Sequence, residues 1–127
     1  MLDADHFKKI NDTFGHAAGD NVLRHLAALM KNKLRKVDTV GRVGGEEFAL
    51  ILPGAALPAA EAFAERLRMN VAATPVAQED SAIPLTVSIG VAGMHAGDAS
   101  ANEAMIRADR ALYRAKESGR NMVAVEA

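Results

Sequence analysis

Thr39-Val40-Gly41-Arg42-Val43-Gly44-Gly45-Glu46-Glu47-Phe48-Ala49-Leu50-Ile51-Leu52 decides the fold. Thr39–Val43 and Glu47–Leu52 are β-rich runs, and Gly44-Gly45 between them is a hairpin signal. A hairpin in mid-chain forces antiparallel pairing there. Outward from it the chain alternates in type. Met1–Leu2 reads as the end of a strand. Asp5 is placed to N-cap a short helix over His6–Thr13, closed by Gly15. From Asp20 to Val37, residues Val22, Leu23, Leu26, Met30 and Leu34 form a helical stripe. Lys31, Lys33, Arg35 and Lys36 suit the C-terminal end of that helix. Pro58 opens a helix through Phe63, Leu67 and Val71 that stops near Pro75. Leu85, Val87, Ile89 and Val91 alternate as a strand. Asn102–Glu117 is a helix ended by Gly119, and Met122–Val125 is a last strand. The order β-α-α-β-β-α-β-α-β predicts an α+β fold, a mostly antiparallel central sheet flanked by helices.

Composition narrows the function. The 127 residues make one domain by length. Fifteen basic against 16 acidic residues leave a net charge of −1, which argues against a nucleic-acid-coating protein. Zero cysteines exclude a disulfide scaffold, a thiolate zinc site and a cysteine nucleophile. Four Phe and one Tyr are few for a base-stacking single-strand binder. The longest apolar run, Phe48–Ala60, is broken by Pro53, Gly54 and Pro58, so no membrane segment is expected. No signal-peptide pattern opens the chain. A cytoplasmic location is expected.

Chemistry points to the acids. Asp3 ends an apolar strand stub, and Glu46 and Glu47 sit at the hairpin tip. The two glycines before them admit close approach and unusual φ values. A divalent metal holding phosphate would explain both features, because Mg²⁺ binds through one or two carboxylates plus phosphates and waters. A solvated hairpin tip is the alternative for these acids taken alone. Asp3-Ala4-Asp5 is not an EF-hand opening, since Phe7, Lys8 and Phe14 occupy positions where that loop needs a ligand, glycine and glutamate. No Walker A or Gly-x-Gly-x-x-Gly motif is present. The start of the short helix after Asp5 is a candidate phosphate cradle. Lys116 and Arg120 bracket a helix C-terminus, which helix-dipole complementarity alone could explain. The four histidines show no metal-ligand spacing within one helix face.

Taken together, Asp3-x-Asp5-x-Phe7-Lys8-x-x-Asn11-Asp12 with Gly15-His16-x-x-Gly19-Asp20 resembles the opening of GGDEF-domain diguanylate cyclases. Gly44-Gly45-Glu46-Glu47-Phe48 resembles their signature in its GGEEF form. Ser88-Ile89-Gly90-Val91, Ala108-Asp109-x-Ala111-Leu112-Tyr113-x-Ala115-Lys116 and Gly119-Arg120-Asn121 follow in the right order. The resemblance implies a fold like the palm of nucleotidyl cyclases and polymerases. It also implies condensation of two GTP molecules into cyclic di-GMP with release of pyrophosphate, in a homodimer whose two domains face each other. By resemblance, Asp3, Glu46 and the backbone carbonyl of Ala4 ligate Mg²⁺ (or Mn²⁺). Glu47 is a further ligand or helps activate the 3′-hydroxyl, so Glu46 and Glu47 form the catalytic pair. Asn11 and Asp20 match the guanine-binding positions, where a carboxylate can accept from guanine N1–H and N2–H₂. Asp20 could also N-cap its helix. Lys116 and Arg120 match the phosphate contacts, joined by backbone N–H groups near Phe7 and Lys8. Arg35-x-x-Asp38 matches the inhibitory site, where product binds, and Arg66 is a secondary contributor.

The family's domain opens with a further helix and a full apolar first strand before the position of Met1. Residues 1–127 are therefore expected to form a GGDEF domain without its first helix and most of its first strand, and to turn over slowly. The sheet is expected either to be gapped there or to take material from another chain. An upstream sensory or receiver domain is an implied partner, and membrane anchoring could come through absent domains. Two rivals remain: a non-catalytic GTP or cyclic di-GMP binding module, and another palm-class enzyme such as a hybrid cyclase or an adenylyl cyclase relative.

Overall fold

The hairpin forms where the sequence puts it. In the computed structural model, which describes all 127 residues, strand β2 (Thr39–Arg42) pairs antiparallel with β3 (Glu47–Ile51). The register runs from Thr39 opposite Ile51 to Arg42 opposite Phe48. The remaining elements are β1 (Leu2–Ala4), α1 (Phe7–Phe14), α2 (His16–Lys33), α3 (Leu57–Ala73), β4 (Val76–Gln78), β5 (Ser81–Ile83), β6 (Val87–Ala92), α4 (Ala101–Glu117) and β7 (Val123–Glu126). Five strands make one sheet in the order β2-β3-β1-β6-β7, and β4 pairs with β5 apart from it. Every neighbouring pair in the main sheet is antiparallel except β6 and β7. The α+β reading is correct.

Burial explains why these elements hold. Leu2, Phe48, Val87 and Ile89 of the sheet join Ile10 of α1, Val22, Leu26 and Met30 of α2, and Leu67 and Val71 of α3 in one core. Each such large side chain contributes about 1.5–3 kcal/mol by leaving water. Helix α4 lays Ala108, Ala111, Leu112 and Ala115 inward. It comes so close to β6 that a Cβ on Gly90 would lie 2.1 Å from the Ala108 carbonyl oxygen and 2.3 Å from the Leu112 nitrogen. No helix is long and apolar enough to cross a membrane.

Several boundaries differ from expectation. Asp5 does not cap α1: the N-cap is His6, in a left-handed conformation at φ 55°, with no side-chain cap bond. Asp5 instead turns inward toward β6. Helix α2 begins at His16, directly after Gly15, so Asp20 lies within the helix and is not its cap. It ends at Lys33, leaving Arg35 and Val37 in the turn that follows. Neither Gly44 nor Gly45 adopts left-handed φ. The tip is a four-residue connection and not a two-residue turn, so these glycines supply openness rather than backbone reversal. The β4–β5 hairpin was not expected.

β1 is short but central. Its residues face Glu47 and Phe48 of β3 on one side and Val87–Ile89 of β6 on the other. The Met1 amino group donates to the Gly90 carbonyl at 2.9 Å, and the Gly90 amide donates back to the Met1 carbonyl at 2.8 Å. β3 and β6 flank a cavity of about 570 Å³ lined mainly by apolar residues, among them Leu50, Phe63, Leu67 and Val91.

Candidate functional site

Register brings the acids together. Asp3 of β1 stands opposite Glu47 of β3. The Ala4 amide donates to the Glu46 carbonyl at 3.2 Å, which ties the hairpin tip to the end of β1. The amides of Val43 and Gly44 both donate to the Glu47 carbonyl, at 2.9 and 3.3 Å. Arg42 Nε donates to the Gly44 carbonyl at 3.1 Å. The tip is thus braced from inside the hairpin and from the central strand. Asp3 is only 6% exposed, and Lys116 Nζ lies 2.5 Å from its Oδ2.

Charge is poorly balanced here. Burial pushes the Asp3 carboxyl above its ordinary range, although Lys116 pulls the other way, and Glu46 and Asp5 add to the rise. Burial likewise pushes Glu47 up, followed by repulsion from Asp109 and Asp3. Desolvated carboxylates crowded around one ammonium are a feature of functional sites. Their oxygens suit a hard divalent cation. No three acidic or histidine side chains converge to cage a cation by themselves.

Asp109 was missed by sequence reasoning. It lies seven residues before Lys116, two helical turns away on the same face of α4, which is the signal that could have found it. Arg120 follows the end of α4. The helix closes with the Arg120 amide donating to the Ala115 carbonyl at 3.0 Å and the Gly119 amide to that of Lys116 at 3.4 Å, a Schellman arrangement. Arg120 is exposed, and Lys116 is paired with Asp3. Phe7 and Lys8 form the first turn of α1, Phe7 packed against the core and Lys8 exposed.

Asn11 and Asp20 lie on either side of the α1–α2 junction. The Asn11 side chain rests against Gly19: a Cβ there would sit 1.8 Å from Asn11 Oδ1. Asp20 is exposed and lines a cavity of about 450 Å³ between α2 and the hairpin, together with Leu23, Arg24, Lys31, Arg42 and Phe48. Of the basic residues of that cavity, only Lys31 was singled out from the sequence, as a helix C-terminal charge, and not Arg24 or Arg42.

Arg35 and Asp38 meet each other. Arg35 Nη2 donates to Asp38 Oδ1 at 2.8 Å and to the Pro53 carbonyl at 2.8 Å, and the Arg35 amide donates to Asp38 Oδ2 at 2.8 Å. The Arg35 guanidinium holds the Asp38 carboxyl below its usual range. The Asp38 side chain is 3% exposed against 55% for Arg35, so the pair offers a cation to solvent. Arg66, exposed on α3, makes no hydrogen bond to either.

Comparison with known proteins matches residues 1–122 to the family described as "Diguanylate cyclase, GGDEF domain". Diguanylate cyclase A of Treponema denticola is 46% identical over 123 residues, which is 97% of this chain and 33% of that protein. The response regulator PleD of Caulobacter vibrioides is 48% identical over 126 residues, 97% of this chain and 28% of that protein. The chain thus spans a third or less of these relatives. The GGDEF domain of DgcB from Caulobacter crescentus, solved in complex with c-di-GMP, superposes with a TM-score of 0.92 at 38% identity, covering 98% of this chain and 74% of that one. The active GGEEF domain of a diguanylate cyclase from Vibrio cholerae gives a TM-score of 0.92 at 37% identity, covering 99% and 80%.

Proposed function

The chain belongs to the GGDEF diguanylate cyclase family, and on that premise we propose that it condenses two GTP molecules into cyclic di-GMP, releasing pyrophosphate. The observation that carries this reading is the pairing of Asp3 with Glu47, with Glu46 tied over Ala4 and Lys116 against Asp3.

Asp3, Glu46, Glu47 and the Ala4 carbonyl would hold Mg²⁺ or Mn²⁺, which supplies neutralisation of the charge on the reacting phosphates. The residues do the rest. Lys116 and Arg120 hold the outer phosphates, with the first-turn amides of Phe7 and Lys8 beside them. Asp20 accepts from the guanine N1–H and N2–H₂ edge, and Asn11 completes the base contact. Glu47, which stands on β3 opposite Asp3 at the base of the hairpin tip, is suited to take the proton from the attacking 3′-hydroxyl. Each domain carries one GTP, so a facing homodimer presents the 3′-oxygen of one nucleotide to the α-phosphorus of the other. Positioning is the main catalytic contribution in such a reaction.

Arg35 and Asp38 are read as the product-inhibition site, with Arg66 joining when cyclic di-GMP is bound. Arg35 stacks on and hydrogen-bonds the ligand, while Asp38 accepts from a guanine edge. The proposed use of GTP favours a cytoplasmic location, and a sensory or receiver domain is the expected source of its input.

The test is incubation of the full-length protein, with this chain in parallel, with GTP and Mg²⁺, followed by chromatography of the full-length protein's nucleotides. Cyclic di-GMP should form from GTP and no cyclic dinucleotide from ATP. Absence of cyclic di-GMP, or equal product from ATP, would overturn the reading.

A further inference from the structure

We propose that Asp5 is a positioning residue: its buried carboxylate fixes the left-handed turn that carries Arg120, and so sets where Arg120 meets a phosphate. The inference rests on the reading of Arg120 as a phosphate contact.

Asp5 is 5% exposed and has no cation partner; three donors surround it instead. Ser88 Oγ donates to Oδ1 at 2.7 Å, Thr86 Oγ1 to Oδ2 at 2.8 Å, and the backbone amide of Asn121 to Oδ2 at 3.0 Å. The Asp5 amide donates to the Thr86 carbonyl at 3.0 Å. One side chain therefore joins the end of β1, the approach to β6 and the turn between α4 and β7.

The turn needs that hold. Arg120 and Asn121 both carry a Cβ and both have positive φ, 64° and 47°. Two successive left-handed residues are disfavoured and persist only where the surroundings over-determine them. Here the α4 cap fixes the Arg120 amide, Asp5 fixes the Asn121 amide, and Arg68 Nη1 donates to Asn121 Oδ1 at 2.9 Å. Only the Asp5 link runs to β1, whose Asp3 lies two residues away at the acidic site. Asp5 thus gives the metal-binding strand and the phosphate-binding turn one shared anchor.

The experiment compares wild type, Asp5→Asn, Arg120→Ala and the double variant. It measures amide hydrogen exchange at Asn121, calorimetric affinity for magnesium pyrophosphate, and KM against kcat for GTP. Asp5→Asn should speed Asn121 exchange about tenfold, and weaken pyrophosphate binding and raise the GTP KM by about tenfold. In the Arg120→Ala background, Asp5→Asn should cost nothing further in pyrophosphate binding or GTP KM, because Asp5 acts there only through Arg120. If Asp5→Asn does not fold, Thr86→Val decides, since it removes the hydroxyl that holds Oδ2 toward the Asn121 amide while Asp5 itself stays in place; the same effects should appear at smaller size. Unchanged Asn121 exchange, or losses that add to those of Arg120→Ala, would overturn the proposal alone. A wild-type chain that binds no magnesium pyrophosphate would overturn it together with the reading of Arg120 beneath it.

Discussion

A methyl group at position 19 would overlap Asn11 Oδ1 at 1.8 Å and crowd the Phe7 ring at 3.3 Å. The nearest obstacle is the far end of a side chain, which can swing away. Alanine also favours helix over glycine by about 1 kcal/mol. Gly19→Ala should therefore leave the melting temperature nearly unchanged while displacing Asn11 and raising the GTP KM about tenfold. Calorimetric melts beside a GTP titration of the rate check both halves. The crowded carboxylates make a second prediction. Glu47 has its carboxyl raised by burial and by Asp109 and Asp3, so the folded chain holds that proton more tightly than the unfolded chain. Its contribution favours folding below the ordinary carboxylate range and is lost as pH rises through the raised value. Glu47→Gln should thus melt higher than wild type at pH 7 by about 2 °C, with the gap closing toward pH 4. Melts across that range decide it, and turnover should fall in the same variant. Individual roles were only partly legible in the sequence. Asp5 has the spacing of a helix cap, but spacing does not say where a carboxylate points, and two hydroxyls 81 and 83 residues away claim it.

At the scale of elements, α4 and β6 are held so close that Gly90 has no room for a side chain. The atoms in the way belong to the α4 backbone and cannot rotate aside. Gly90→Ala should cost about 3 kcal/mol or more, as overpacking against backbone does. It should also move Lys116 relative to Asp3, so denaturant unfolding and GTP affinity should fall together. The helices and the long hairpin were legible from their periods and punctuation: Pro58 at the start of α3 and Gly119 after α4; Ser100, which caps α4 through the Asn102 amide, was not read. The β4–β5 hairpin was not legible. Its turn at Glu79–Asp80 contains no glycine, and Glu79 takes the left-handed conformation at φ 53°. Tertiary contacts impose that shape, with Asn21 Nδ2 donating to the Ala77 carbonyl and to Gln78 Oε1, both at 2.9 Å. The start of α2 was misplaced for a related reason. Ala17, Ala18 and Gly19 carry no periodic signal, and only the close contact with α1 explains them.

For the whole molecule, three residues of β1 organise the rest. A strand of that length shows no periodicity, so its central place between β3 and β6 came from the resemblance and not from the pattern of residues. Once it is central, Asp3 necessarily faces the hairpin tip, and Lys116 arrives from α4. The Arg35–Asp38 pair lies in a separate turn after α2 and is tied to Pro53. If that pair is the product site proposed above, GTP progress curves of the wild type should bend as cyclic di-GMP accumulates and Arg35→Ala should straighten them; equal curvature would contradict that assignment. The central claim is that Asp3, Ala4, Glu46 and Glu47 form one divalent-cation site beside the nucleotide. Paramagnetic broadening tests it most directly, with Mn²⁺ titrated into the isotope-labelled chain in the presence of a non-hydrolysable GTP analogue. The account predicts that the amides of Asp3, Ala4, Glu46 and Glu47 broaden first and that Glu46→Gln shifts the effect to higher Mn²⁺. Broadening centred on another acidic group, such as Asp98 and Glu103, or none near β1 and the hairpin tip, would contradict it.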